Sequence, residues 1–302
     1  MPEMPTLVAL IGPVEPDLLD AWVRHYRALG VEQFTLGFHF PDHVPDQTRQ
    51  LVLETCRHSG ITPALVSTGP WHEHTNPELT GELRAMAGDG WHLIADSDEL
   101  HTYPAPLGEI LGDCEHRGTK SVGGLMLDRV SLDGQLAGWN PTLGLDASYP
   151  LGGFLTHGLL HADPRKIVLV QSGVVLSSGN HRAPGHRPAN RPPILVHHFK
   201  WRVGIRDDLE RRERHSLDGS WHTDSPAIPA EARRLLDHLD QHDGRIDVDD
   251  PILHFEPVTL TEQPDWWAEQ ATAIVDTWRP PRQNASGSTT SSPSPAGTSN
   301  RA

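Results

Sequence analysis

Across the first hundred residues, short apolar runs alternate with amphipathic stretches of helical spacing, and this rhythm leaves few folds open. Leu7 to Ile11 is an apolar run of strand type. Pro16 and Asp17 then open a helix, with proline at a first-turn position where its missing N–H costs nothing. Leu18, Leu19, Trp22, Val23, Tyr26 and Leu29 recur at helical spacing, and Gly30 stops the helix. Phe34 to Phe38 reads as a second strand and Asp46 to His58 as a second helix ending at Gly60. Ile61 to Val66 is the third strand, Glu78 to Ala87 the third helix, and Trp91 to Ala95 the fourth strand. Strands that alternate with helices need right-handed crossovers, so the reading is α/β: a mainly parallel, Rossmann-like sheet flanked by helices. Ligands bind such sheets beyond the carboxyl ends of the strands. The fourth strand runs there directly into Asp96-Ser97-Asp98-Glu99.

The rest of the chain is less regular. Pro106 to His116, Pro229 to Leu239 and Pro264 to Trp278 read as helices. Gly124 to Val130, Lys166 to Val170 and the short run Pro193 to Val196 read as strands. Ser178 to Pro193 is rich in Gly, Pro, His and Arg and reads as a loop. Residues 279–302 contain PPRQNASGSTTSSPSPAGTSN, which has almost nothing apolar to offset its ordering entropy. The expected organisation is one domain over 1–278 and a disordered tail over 279–302. With 25 Lys and Arg against 40 Asp and Glu, the net charge of −15 speaks against nucleic acid and anionic membrane surfaces as partners. No run approaches the ~18 apolar residues of a transmembrane helix. Met1 to Thr6 lacks the pattern of a secretory signal, and the two cysteines, Cys56 and Cys114, are far apart. A cytoplasmic location is expected.

Asp96 and Asp98 stand two residues apart at a strand end, where i and i+2 point to one side. Two converging carboxylates suit a hard cation, Mn²⁺ or Mg²⁺, which can bridge the phosphates of a nucleotide diphosphate. A solvated acidic turn is the plain alternative. A second cluster is Val196-His197-His198-Phe199-Lys200-Trp201, in which an imidazole can complete a carboxylate-held metal site and Lys200 can meet phosphate. An aromatic edge strand with one buried histidine is the plainer reading. Gly179-Asn180-His181-Arg182 suits phosphate or a hydroxyl, or is simply a polar turn. His72-Glu73-His74 lacks the spacing of a helical zinc site.

Taken in order, LLDAWVRHYRALG, WHLIADSDEL, GGLMLDRVSLDG, Tyr149-Pro150, RKIVL, SGNHRA and VHHFKWR resemble the bacterial glycosyltransferase family 2-like proteins related to the domain of unknown function 23 group. The likeness spans Thr6 to about Arg214. It implies a GT-A fold, a nucleotide-diphosphate sugar donor and a divalent metal. Asp98 would ligate the metal, and Asp96 would contact the donor ribose or a metal-bound water. His198 or His181 would be the late histidine near the pyrophosphate, with Lys200 and Arg202 neutralising its charge. Glu15 matches the second residue of the family's Asn-Glu pair, while Val14 replaces the first. The family's Asp-Asn-x-Ser-like turn after the second strand is Phe38-His39-Phe40-Pro41-Asp42 in this chain.

The implied reaction moves a sugar onto an acceptor hydroxyl with inversion, which needs a general base on the acceptor side. Asp146, just before Tyr149-Pro150, and Asp128, in LMLDR, are the candidates, with Asp146 preferred. The structural alternative makes Asp128 the partner of a nearby cation and Asp146 a helix cap. The rival functions are a metal-dependent nucleotidyltransferase or phosphoesterase, and a non-catalytic nucleotide-sugar binding module.

Overall fold

The structure is a computed structural model and describes residues 3–222, 225 and 227–277. The expected tail over 279–302 lies outside the described residues.

The first half contains β1 (Thr6–Ile11), α1 (Pro16–Ala28), β2 (Phe34–Phe40), α2 (Asp46–His58), β3 (Leu65–Thr68), α3 (Thr75–Ala87), β4 (Trp91–Ile94), β5 (Glu99–Thr102) and α4 (Leu107–His116). The second half contains β6 (Ser121–Val130), α5 (Leu145–Ser148), β7 (Leu151–Gly153), α6 (Leu155–Gly158), β8 (Arg165–Gln171), β9 (Ala189–His198), α7 (Ile205–Asp218), α8 (Ala227–Gln241), β10 (Glu256–Pro257) and α9 (Asp265–Thr277).

The sheet runs β10-β7-β6-β8-β4-β1-β2-β3, and β9 joins its free side to β6 and to β5. The segment β4-β1-β2-β3 is parallel throughout, as the strand–helix alternation requires. β8 pairs antiparallel with both β4 and β6, while β7 and β10 extend the antiparallel edge. β9 lies parallel to β6 and antiparallel to β5.

Side chains alternate across the sheet and so serve two cores. Leu7, Ala9 and Ile11 face the core that α1 fills with Leu18, Leu19, Trp22, Val23 and Tyr26. Val8 and Ile94 face a second core with Leu83 of α3. Gly37 of β2 lies under that helix: a Cβ there would sit 2.7 Å from a Leu83 methyl. A third core joins α7 and α8 through Ile205, Leu209, Ala232, Leu235, Leu236 and Leu239. A fourth sets Trp267 and Ala271 of α9 against Leu125, Leu127 and Leu195.

Several boundaries differ from the sequence reading. The third strand begins at Leu65 rather than Ile61, after the chain crosses back to the sheet. β9 starts inside the expected loop, at Ala189, which pairs with Val122 of β6; an irregularity spans Pro192 and Pro193, and pairing resumes at Ile194 opposite Gly124. α7 had no apolar stripe to reveal it, since IRDDLERRERHSLD buries only Ile205 and Leu209. The strands β5, β7 and β10 and the one-turn helices α5 and α6 are too short to leave a period.

Candidate functional site

Sheet register assembles the site. β4 delivers the chain to Asp96, and the turn closes with Glu99 N–H donating to the Asp96 carbonyl at 3.0 Å. β5 then places Glu99 opposite His198 of β9, and β9 in turn places His198 beside Asp128 of β6. Three distant segments thus meet on one face. Adjacent residues of a strand point to opposite faces. His197 therefore lies on the other face, where its Nδ1 is 3.0 Å from Arg129 Nη1. The choice among the late histidines is made by this alternation: of the β9 pair, it is His198 that faces the acidic turn.

Asp96 and Asp98 diverge. Asp96 Oδ2 accepts from Lys166 Nζ at 2.6 Å, and the same ammonium meets Glu99 at 2.7 Å and donates to the Gly179 carbonyl at 3.1 Å. Lys166 is only 4% exposed, a burial that its two carboxylates make tolerable. Burial opposes the Lys166 charge, but both carboxylates outweigh it and hold its pKa above the ordinary lysine value. Burial likewise opposes the Asp96 charge, and Lys166 more than offsets it, so Asp96 lies below the usual carboxylate range. Glu99 is pushed up to about 7 by burial, against the pull of Lys166. The expectation that both aspartates grip one cation is therefore corrected: Asp96 is bound to a resident ammonium.

Among the described residues Asp98 has no such ammonium partner, and it lines a cavity. His198 Nε2 lies 3.9 Å from Asp98 Oδ2, and its Nδ1 is 2.8 Å from Asp128 Oδ1. Among the described residues no three His, Cys, Asp or Glu side chains are grouped to hold an ion. The pair Asp98 and His198 fits a divalent cation of the kind that takes one or two protein ligands and completes its shell with substrate phosphates and water. Asp96 does not complete that pair.

His181 stands beside Asp96 and Lys166 and is not part of the cavity lining. Its Nδ1–H donates to the Arg165 carbonyl at 2.8 Å. Burial, aided by the Lys166 charge, lowers it to about 4, so it is neutral at neutral pH and brings no charge to a diphosphate.

The cavity, about 600 Å³, opens beyond the carboxyl ends of β1 and β2. One wall carries Asp98, Lys200, Arg202 and Glu15. Arg202 grips Glu15 through two bonds, Nε to Oε1 at 3.0 Å and Nη2 to Oε2 at 2.8 Å. That fork ties the segment after β9 to the turn before α1. Burial opposes the Glu15 charge, and Arg202 overcomes it, so Glu15 sits below the ordinary glutamate value. Burial, with Arg212 nearby, lowers Lys200 against the pull of Asp98, Asp208 and Glu231. Arg211 and Arg212 of α7 reach the same cavity and both pair with Asp208. Four cations face three carboxylates in this lining, in a chain whose total charge is −15.

The far wall is aromatic. Trp71 and Trp221 meet with ring centroids 5.4 Å apart, and His215 stacks on Trp221 at 5.0 Å. The loop from 69 to 75 is stapled to the segment after α7. Glu73 N donates to the His222 carbonyl, His222 N to His72 Nδ1, and Ser225 N to Glu73 Oε2. His72-Glu73-His74 is thus a structural staple. His39 of β2 lines the cavity too, with Nδ1 3.0 Å from Ser67 Oγ and its buried Nε2 without a hydrogen-bond partner among the described residues. Trp71, Trp221, His39, Arg211, Arg212 and Lys166 were not singled out from the sequence. A lysine opening the apolar run of β8 was the one local signal among them.

Neither expected base faces this cavity. Asp128 is fully buried, and its carboxylate accepts from Thr156 N at 2.6 Å, Thr156 Oγ1 at 2.8 Å, His198 Nδ1 at 2.8 Å and Trp201 Nε1 at 2.7 Å. It has no route to an acceptor hydroxyl, which corrects its reading as a base. Asp146 accepts from Arg129 Nη2 at 2.9 Å and from Leu260 N at 3.1 Å, and its side chain is 39% exposed.

No protein-family model matches the chain, and no curated protein matches it. Among solved structures, Staphylococcus aureus TarS 1–349 aligns with a TM-score of 0.34 at 12% identity, over 78% of this chain and 72% of that one. The same protein in complex with UDP-GlcNAc aligns with a TM-score of 0.34 at 12% identity, over 78% of this chain and 73% of that one. The mannosyltransferase PcManGT from Pyrobaculum calidifontis, in complex with GDP-Man and Mn²⁺, aligns with a TM-score of 0.37 at 12% identity, over 92% of this chain and 78% of that one.

Proposed function

We propose that this chain is a GT-A-type, family 2-like glycosyltransferase. It moves a sugar from a nucleotide-diphosphate donor to an acceptor hydroxyl, with inversion, using Mn²⁺ or Mg²⁺ held by Asp98 and His198. The observation that carries this reading is the meeting of His198 Nε2 and Asp98, at 3.9 Å, beside a cavity whose lining supplies Lys200 and Arg202. The order of the sequence motifs supports it.

In this reading the ion supplies Lewis-acid stabilisation of the departing diphosphate. Lys200 and Arg202 add fixed positive charge at the same place, aimed where negative charge develops. Glu15 keeps the Arg202 guanidinium in one orientation, so little reorganisation is needed when the diphosphate leaves. The Trp71 and Trp221 wall offers flat apolar surface on which a nucleobase stacks. Asp146 is kept as the proposed base, because it alone of the two expected carboxylates has an exposed edge, although that edge lies outside the cavity lining and its Oδ1 is held by Arg129.

The test is incubation of the full chain with Mn²⁺ and a panel of nucleotide sugars. Release of nucleoside diphosphate supports transfer. Release of monophosphate would make the protein a phosphoesterase, and binding without turnover on any acceptor would make it a binding module. Asp98→Asn should lower metal-dependent turnover at least ~100-fold while thermal stability stays nearly constant, because the side chain lines the cavity and its His198 contact is a long one of 3.9 Å. A large stability loss would make Asp98 structural.

A further inference from the structure

We infer that Asp128 is a positioning residue: it fixes the tautomer of His198 so that the Nε2 lone pair faces Asp98. This rests on the metal reading of that pair. A carboxylate can only accept, so the 2.8 Å contact requires the hydrogen on Nδ1, and a ring that binds an ion must then do so through the Nε2 lone pair. Nε2 is the atom that points at Asp98. Asp128 is held by three further donors, Thr156 N, Thr156 Oγ1 and Trp201 Nε1, all at 2.6 to 2.8 Å. Among the described residues its four hydrogen-bond partners are all donors. Rotation would break bonds with nothing to replace them, so the carboxylate is a rigid fixture. The β6–β9 register sets Asp128 directly opposite His198, which fixes the ring from the backbone upward. Outer-sphere carboxylates of this kind orient a ligand ring and raise its basicity toward an ion.

The experiment measures Mn²⁺ affinity of the full chain by electron paramagnetic resonance, in separate titrations with UDP, GDP and inorganic pyrophosphate. Asp128→Asn should weaken Mn²⁺ binding about 10- to 100-fold, the range found for outer-sphere partners. Val52→Ala, in the buried face of α2, lowers stability without touching the site and should leave Mn²⁺ affinity unchanged. Should Asp128→Asn fail to fold, the ring ¹⁵N spectrum of the wild-type protein with Mg²⁺ decides, with His198→Asn identifying the signal. The expected pattern is a protonated Nδ1 and an unprotonated Nε2. A proton on Nε2, whether or not Nδ1 also carries one, or a folded Asp128→Asn with wild-type Mn²⁺ affinity, would overturn the assignment and leave the metal reading standing. A wild-type chain that binds no Mn²⁺ in any titration would remove both.

Discussion

Asp96 and Asp98 are identical side chains two residues apart, and the fold gives them opposite work. Lys166 rises from β8 beneath the turn and takes Asp96, while Asp98 is left facing the cavity. The acidic turn was legible as the end of a strand because its strand was legible. The partner that splits its two carboxylates was not, because Lys166 is 70 residues away. Glu15 and Arg202, 187 residues apart, were each singled out as donor contacts, and the structure adds that they hold each other. Two predictions belong at this scale. Glu15→Gln removes the charge that fixes Arg202, and donor affinity should fall about 3- to 10-fold with kcat falling further, measured by titration and by steady-state kinetics. Unchanged kinetics would make the fork structural only. Asp146→Asn should lower kcat at least ~100-fold while the nucleotide Kd is unchanged; equal loss of Kd and thermal stability would assign Asp146 to holding Arg129.

Elements with a strong period were readable and short ones were not. α1 shows its stripe because a whole face packs on the sheet, and the reading there matches the structure. β7 has three residues, two of them glycines, and nothing local marks it. Its reason is steric. A Cβ on Gly153 would sit 2.5 Å from Phe255 Cδ1 and 2.7 Å from the Leu253 carbonyl. Gly153→Ala should therefore cost about 1–3 kcal/mol, read as a lower urea midpoint, and more than a matched substitution at exposed Gly173. A neutral result would mean that this edge of the sheet yields easily. α7 shows the reverse case, a helix whose charged sequence hides it and whose place beside the cavity brings Arg211 and Arg212 into its lining.

At the scale of the molecule, the interior holds neutral histidines. Burial lowers His101 and His197 well below the ordinary imidazole value, and His181 falls to about 4. In the unfolded chain each takes up a proton as pH falls through about 6.5, and the folded state does not. Stability should therefore be full above that pH and decline below it, by up to ~1.4 kcal/mol per pH unit for each such group. Glu99 acts in the opposite sense: raised to about 7, it is protonated in the folded state first and favours folding as pH falls toward its unfolded value. Three histidines against one glutamate leave a net loss between about pH 6.5 and 4.5. Melting temperatures at pH 7.5 and pH 5 measure it, and a higher value at pH 5 would refute the assignment. The molecule also separates its charges: a surplus of acid overall surrounds a cavity in which cations prevail.

Sequence alone determined the strand–helix alternation, the parallel half of the sheet and the strand end where Asp98 lies, because apolar periodicity is a local record of which face is buried. It also marked the late histidine pair. Only the tertiary structure decided which histidine of that pair faces Asp98, that Asp96 pairs with Lys166, and that Asp128 is buried against the His198 ring. Those outcomes depend on the register between β5, β6, β8 and β9. Register is fixed by contacts between residues tens of positions apart, of which no single stretch of chain carries a trace.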